Sequence, residues 1–166
     1  MRHFTSVPKQ VRVRGALRSP NGLPRAYLND VGDHLSAGFD ARDQQSITAL
    51  VDEFGPDVVI NAVGVIKQAP LVQNKLLTAE VNGALPHFLA SECSRVGARL
   101  VHISTDCVFS GQRGGYTEDD VPDPVDFCGR SKLLGEVDDR GLCKLPSSPS
   151  FSKFLQCTGA GSPAAL

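Results

Sequence analysis

The chain reads as an α/β fold, a parallel sheet with flanking helices, on three observations. Leu100-Val101-His102-Ile103 is a short apolar run that breaks into the polar triplet Ser104-Thr105-Asp106. A buried parallel strand delivers polar groups in this way to its carboxyl edge, where open α/β sheets bind ligands. Asp57-Val58-Val59-Ile60-Asn61 is a second run, β-branched and uninterrupted, and reads as another buried parallel strand. Between them, Leu76 to Val96 sets Leu77, Val81, Ala84, Leu85, Phe88, Leu89 and Cys93 on one apolar stripe, the spacing of an amphipathic helix.

The other elements follow in chain order. Residues 11 to 17, VRVRGAL, alternate apolar and basic side chains as a strand does, and a Pro20-Asn21-Gly22 turn signal comes soon after. Leu35 to Phe39, followed by Asp40-Ala41-Arg42-Asp43, reads as a short strand and its exit turn. Asp43 is placed to cap a helix from Gln44 to Phe54, with Ile47, Leu50, Val51 and Phe54 at helical spacing and Gly55-Pro56 as its stop. In the long helix Pro86 cannot donate to the carbonyl of Asn82, so a local kink is expected there. His87 reads as a satisfied structural histidine rather than a catalytic one. Gly97-Ala98 ends that helix. Beyond a Gly-rich acidic loop, a segment of helical pattern carries Cys128 and Lys132, four residues apart and so on one face. Residues 138–166 are rich in Ser, Pro and Gly without a sustained period, and are expected to be an irregular or disordered tail to a folded domain of residues 1–137.

At 166 residues the chain is long enough for one domain with a real core. A formal net charge of -1 gives no reason to propose nucleic acid or an anionic membrane surface as a partner. No apolar run approaches the roughly 20 residues that span a bilayer, and MRHFTSVPKQVRVRG has no apolar core of a secretory signal. A cytoplasmic location is the resulting expectation. The five cysteines form no C-x-x-C pair, and their odd number fits reduced thiols better than a disulfide framework. No metal site is expected.

Ser104-Thr105-Asp106-Cys107-Val108-Phe109-Ser110-Gly111, then Cys128-Gly129-Arg130-Ser131-Lys132-Leu133-Leu134-Gly135-Glu136, resembles a paired pattern of the extended short-chain dehydrogenase/reductase superfamily. Within it the likeness is to the dTDP-4-dehydrorhamnose reductase (RmlD-like) branch, which reads S-T-D-x-V-F-x-G and then Y-G-x-[ST]-K-x-x-G-E. The resemblance spans roughly residues 11 to 137, and it implies a Rossmann-like sheet, NADP or NAD as cofactor and a nucleotide-linked 4-keto sugar as substrate. It departs at one position, because Cys128 stands where the family has its catalytic Tyr.

The resemblance implies roles residue by residue. Thr105 is the hydroxyl that steadies the substrate carbonyl, Lys132 the cation that tunes the proton donor and binds the nicotinamide ribose, and Cys128 the occupant of the donor's place. Asn61, Ala62, Val63 and Gly64 would lie under the cofactor's ribose and pyrophosphate, with Ser104 beside them. Asn82, in the family's Val-Asn pair, would pack behind the active site. Arg18 is either the partner of a 2′-phosphate or a solvated loop residue. Asp40 either meets the adenine amino group, with Ala41 lining the same slot, or is a turn residue ahead of the helix.

Two family features are not found in the sequence. No Gly-rich turn precedes Val11, so the middle of the sheet would need residues 3–7 or 150–157, or direct pairing of the flanking strands. No patterned substrate lobe follows Lys132. The chain therefore resembles an internal piece of a reductase. A thiol at position 128 has a reference pKa of about 8.5 against about 10 for Tyr, and a nearby ammonium is expected to lower it further toward a thiolate that cannot donate a proton. General acid catalysis is worth about 10²- to 10⁴-fold, so reductase activity is expected to be absent or severely reduced. A regulatory or interaction module on the same fold, an inactive fragment, and a nucleotide-sugar epimerase or dehydratase relative are the alternatives. Self-association into a homo-oligomer is left open.

Overall fold

The computed structural model describes residues 11–19, 21, 28, 34–117, 119–137 and 155–158. The chain divides into two compact units, Met1–Phe54 and Gly55–Leu166.

In the first unit β1 (Gly15–Leu17) runs parallel to β2 (Leu35–Ala37), in register Gly15↔Leu35 to Leu17↔Ala37. The alternating stretch 11–17 thus contributes only its last three residues to a strand, because a strand extends only as far as its partner. Arg12 instead turns to the helix α1 (Gln44–Phe54), where its Nη2 donates to the carbonyl of Phe54 at 2.8 Å and its guanidinium lies 4.7 Å from that ring's centroid. This satisfies one of the carbonyls a helix C-terminus leaves without a partner. Asp43 caps the other end as expected: Oδ1 accepts from the N–H groups of Gln45 and Ser46, at 3.1 and 3.2 Å. Ile47 and Val51 are the buried pair of α1, and Gly55, at φ 57°, ends it.

In the second unit β3 (Val58–Asn61) runs parallel to β4 (Arg99–Ile103), and β5 (Leu155–Thr158) runs antiparallel on the far side of β4. The order is β3-β4-β5. Four residues expected to be irregular therefore form a strand. They do not fill a gap beside β3, because the edge they take is the opposite one; residues 3–7 lie outside the described residues. The fully buried reading of the Asp57–Asn61 strand is also corrected. Successive side chains leave a strand on opposite faces, and here Asn61, Leu100 and His102 are buried while Val58, Ile60 and Ile103 remain 48%, 51% and 40% exposed.

The long helix is three pieces in continuous sequence: α2 (Lys75–Ala79), a wide π-turn at Glu80–Ala84, and α3 (Leu85–Val96). Asn74 caps its start by accepting from the Leu77 N–H at 3.0 Å. The departure from α-geometry expected at Pro86 falls immediately before it. Pro86 has no N–H, and the wide turn just before it carries a bond from the Leu85 N–H to the Glu80 carbonyl, five residues back. One extra residue per turn rotates the stripe, which is why Ala84 is exposed although the even spacing puts it inside. Val81, Asn82 and Gly83 are buried instead. Gly97, at φ 74°, closes α3, with the Ala98 N–H reaching back to the Cys93 carbonyl at 2.8 Å. α3 packs on β4, and α4 (Phe127–Leu134) packs on the π-turn.

Candidate functional site

The site is built where β3 and β4 end. Asn61 closes β3, and its Oδ1 accepts from the Val63 N–H at 3.0 Å, so its Nδ2 is the atom that donates to His102 Nδ1 at 3.1 Å. Ala62, Val63 and Gly64 follow as an exposed exit. Val65 then turns back inside, held at both backbone atoms by one side chain: its N–H donates to Asn82 Oδ1 at 2.8 Å, and its carbonyl accepts from Asn82 Nδ2 at 2.9 Å. The same Nδ2 reaches Ser131 Oγ on α4 at 3.0 Å. The π-turn carries Asn82, so this irregular turn ties the β3 exit to α4.

On the β4 side, Ser104 is buried and its hydroxyl donates to Glu136 Oε1 at 2.9 Å. Thr105 is half-buried. Its Oγ1 donates to Asp106 Oδ1 at 3.2 Å and accepts from the Cys107 N–H at 3.3 Å, capping the 3-10 turn at Asp106–Val108. That turn packs on the first turn of α4 so closely that a Cβ on Gly129 would overlap the Cys107 carbonyl. The elements carrying Thr105 and Lys132 are thus in direct contact. The acidic loop is ordered locally: Phe109 and Tyr116 stack at 4.5 Å, Ser110 donates to Asp123 Oδ2 at 2.6 Å, and Arg113 pairs with Asp120.

Asp126 caps α4 by accepting from the Gly129 N–H at 2.9 Å, and the Lys67 ammonium lies 2.8 Å from its carboxylate. Cys128 and Lys132 do share a face of α4, and each is only 7% exposed. The Lys132 ammonium sits against Gly64: a Cβ there would come within 2.5 Å of Nζ and 3.4 Å of Asn82 Oδ1. Among the described residues it has neither a hydrogen-bond nor an ion-pair partner. Burial lowers its pKa from the ordinary lysine value.

The expectation for Cys128 is reversed. Burial dominates, Asp126 and Cys107 add to it, and together they raise the thiol's pKa over the opposing pull of Lys132 and Lys67. The thiol keeps its proton at neutral pH, yet it points at the Val65 carbonyl, 3.5 Å away. His87 acts structurally, its Nε2 lying 2.7 Å from the Leu134 carbonyl at the end of α4.

Arg18, Asp40 and Ala41 belong to the first unit. Asp40 makes the turn ahead of α1: Oδ1 accepts from the backbone N–H and Nε of Arg42, and Oδ2 pairs with its Nη2 at 2.8 Å. These bonds, with a smaller contribution from the charge of Arg18, pull its pKa down to about 2.

Sequence reasoning missed His102 and Glu136. His102 is 1% exposed, and with Nδ1 accepting from Asn61 its neutral ring carries the proton on Nε2, which has no partner among the described residues. Period two along β4 places it beside Leu100 on the inner face, a signal that was available. Burial, aided by the charge of Lys132, lowers its pKa to about 4. The unfolded chain, at the ordinary histidine value, binds more protons between pH 6.5 and 4, so stability falls as pH falls through that window. We expect a loss on the order of 3 kcal/mol from this residue, read by urea unfolding at pH 7 and pH 4. In His102→Gln that limb flattens; an unchanged slope would refute the assignment.

A strand-end hydroxyl pair, a buried helix lysine and an asparagine clamp behind both are the frame of the extended short-chain dehydrogenase/reductase fold. Within it this chain belongs to the RmlD substrate binding domain family, which it matches over residues 28–143. It is 42% identical over 85 residues to a dTDP-4-dehydrorhamnose reductase of Mycobacterium tuberculosis, covering 48% of this chain and 28% of that one. It is 31% identical over 94 residues to methionine adenosyltransferase 2 subunit beta of Rattus norvegicus, covering 57% and 28%. A crystal structure of dTDP-4-dehydrorhamnose reductase from Bacillus anthracis in complex with NADP superposes with a TM-score of 0.58 at 27% identity, covering 75% of this chain and 48% of that one. The chain spans about a third or less of the length of the curated relatives it matches. Among the described residues, no helix is long and apolar enough to cross a membrane, and no cluster of His, Cys, Asp or Glu is arranged to hold a metal ion.

Proposed function

We propose that this chain is a reductase-type domain that binds NADP or NAD through its second unit and reduces a nucleotide-linked 4-keto sugar poorly, for want of a proton donor with a phenol's reach at position 128. The observation that carries the reading is the Lys132 ammonium, buried beside the small-residue exit Ala62–Gly64 with no partner of its own among the described residues. An ammonium largely withdrawn from water and without a protein partner is unfavourable, and a ribose hydroxyl arriving over Gly64 is the kind of group that would relieve it. Lys132, the Ala62–Gly64 backbone and Ser104 would hold the nicotinamide-ribose end, and the bound nicotinamide supplies hydride. Thr105 would orient the carbonyl to be reduced. Cys128 keeps its proton but is shorter than a phenol and is turned toward Val65, so proton delivery is the weak step.

The test is titration of the protein with NADPH and NADH, followed by nicotinamide fluorescence. Saturable micromolar binding is expected. Lys132→Met should weaken it at least about tenfold while raising the unfolding midpoint, because a partly desolvated charge is replaced by an apolar chain of similar length. Cys128→Tyr should raise NADPH oxidation in the presence of a dTDP-4-keto sugar. No saturable signal from the unaltered protein would reject the reading and favour the second one, a non-catalytic module. The displaced thiol of Cys128 and the likeness to a protein named as a subunit of methionine adenosyltransferase support that alternative.

A further inference from the structure

We infer that Cys107 and Cys128 form a dithiol site that reduces small disulfides and closes into an internal bridge across the 3-10 turn and α4. The inference does not rest on cofactor binding. The turn at Asp106–Val108 and the first turn of α4 meet backbone to backbone, the Cys107 carbonyl lying against the Cα of Gly129, next to Cys128. A disulfide spans only about 4.4–6.8 Å between Cα atoms, so contact of this kind is its precondition. The two thiols also differ in the way an attacking and a resolving cysteine differ: Cys107 is exposed and Cys128 is buried. Cys93, by contrast, is 1% exposed and pushed up to about 11 by burial, which leaves it inert.

The chemistry balances with glutathione disulfide as oxidant. The Cys107 thiolate attacks one sulfur of the glutathione disulfide, forming a mixed disulfide and releasing one glutathione thiolate. Cys128 gives its proton to solvent and attacks the Cys107 sulfur of that mixed disulfide, releasing the second glutathione. Two electrons pass from the protein's two thiols to the glutathione disulfide, which leaves as two thiols.

The experiment incubates the full chain with glutathione disulfide, blocks remaining thiols, and maps tryptic peptides without reduction. Cleavage after Arg99, Arg113 and Arg130 puts Cys107 and Cys128 on separate peptides, 100–113 and 114–130. The expected result is a loss of about 2 mass units from the protein and a linked pair of those peptides. In Cys128→Ser the glutathione should remain on Cys107, and in Cys107→Ser modification of Cys128 should slow at least about tenfold. Peptide mapping of the unaltered chain keeps the test decisive if either variant fails to fold. A lasting glutathione adduct on Cys107 of the unaltered protein, both thiols still free, or a bridge from Cys107 to another cysteine would overturn the inference.

Discussion

Gly129→Ala is expected to destabilise the protein by about 3 kcal/mol or more, the upper range for overpacking. Helix propensity alone predicts the opposite sign, since alanine is favoured over glycine in a helix interior by roughly 1 kcal/mol. Packing wins because the added methyl would overlap the backbone carbonyl of Cys107 and crowd Pro124. A carbonyl fixed in a capped turn cannot rotate away as a side-chain end can, so the turn and α4 must separate. Gly83→Ala is the matched control. Its methyl would crowd the Leu134 side chain, 2.9 Å from Cδ2 and 3.3 Å from Cγ, and make ordinary contact with the Ser131 carbonyl at 3.5 Å; Leu134 is largely exposed and free to move. Urea midpoints should place Gly129→Ala far below the unaltered protein and Gly83→Ala close to it. Equal midpoints for the two variants would show that the turn is not seated on α4 as described.

Asn82→Ala is the second large effect, expected at about 3–4 kcal/mol. The asparagine makes three hydrogen bonds at a position 1% exposed, and its loss leaves the Val65 N–H buried without an acceptor. An orphaned buried donor costs about 1–3 kcal/mol, and a small cavity adds to this. Asn82→Asp separates the parts: it retains an acceptor for Val65 but loses both donated bonds. We expect it to remain well below the unaltered protein at pH 7. If Asn82→Ala unfolds within about 1 kcal/mol of the unaltered protein, the clamp does not hold the β3 exit to α4.

Several elements could be read from local pattern alone. The helix Gln44–Phe54 and its Asp43 cap, the strand at Val58–Asn61, and the shared face of Cys128 and Lys132 all depend on spacing or on side-chain-to-backbone bonds a few residues long. Asn82 was legible as a residue packed behind the site, but not as the residue gripping both backbone atoms of Val65. That role depends on the π-turn immediately before Pro86, which local spacing does not record. Strand length at 11–17 and exposure on β3 were misread for a related reason. Alternation specifies which side chains share a face, whereas partners supplied by distant residues decide how long the ladder is and what covers it.

Strand, hydroxyl pair, and a helix with lysine four residues past position 128 were all present in residue order and in helical or strand spacing, and the motif resemblance tied them to a family. The tertiary fold set the state of the groups in that frame. It set Lys132 against Gly64, reversed the direction in which Cys128 is shifted, and left the Nε2 of His102 without a partner among the described residues. Desolvation and hydrogen bonding are set by atoms brought together from 17 to 63 residues apart, and no local pattern records them.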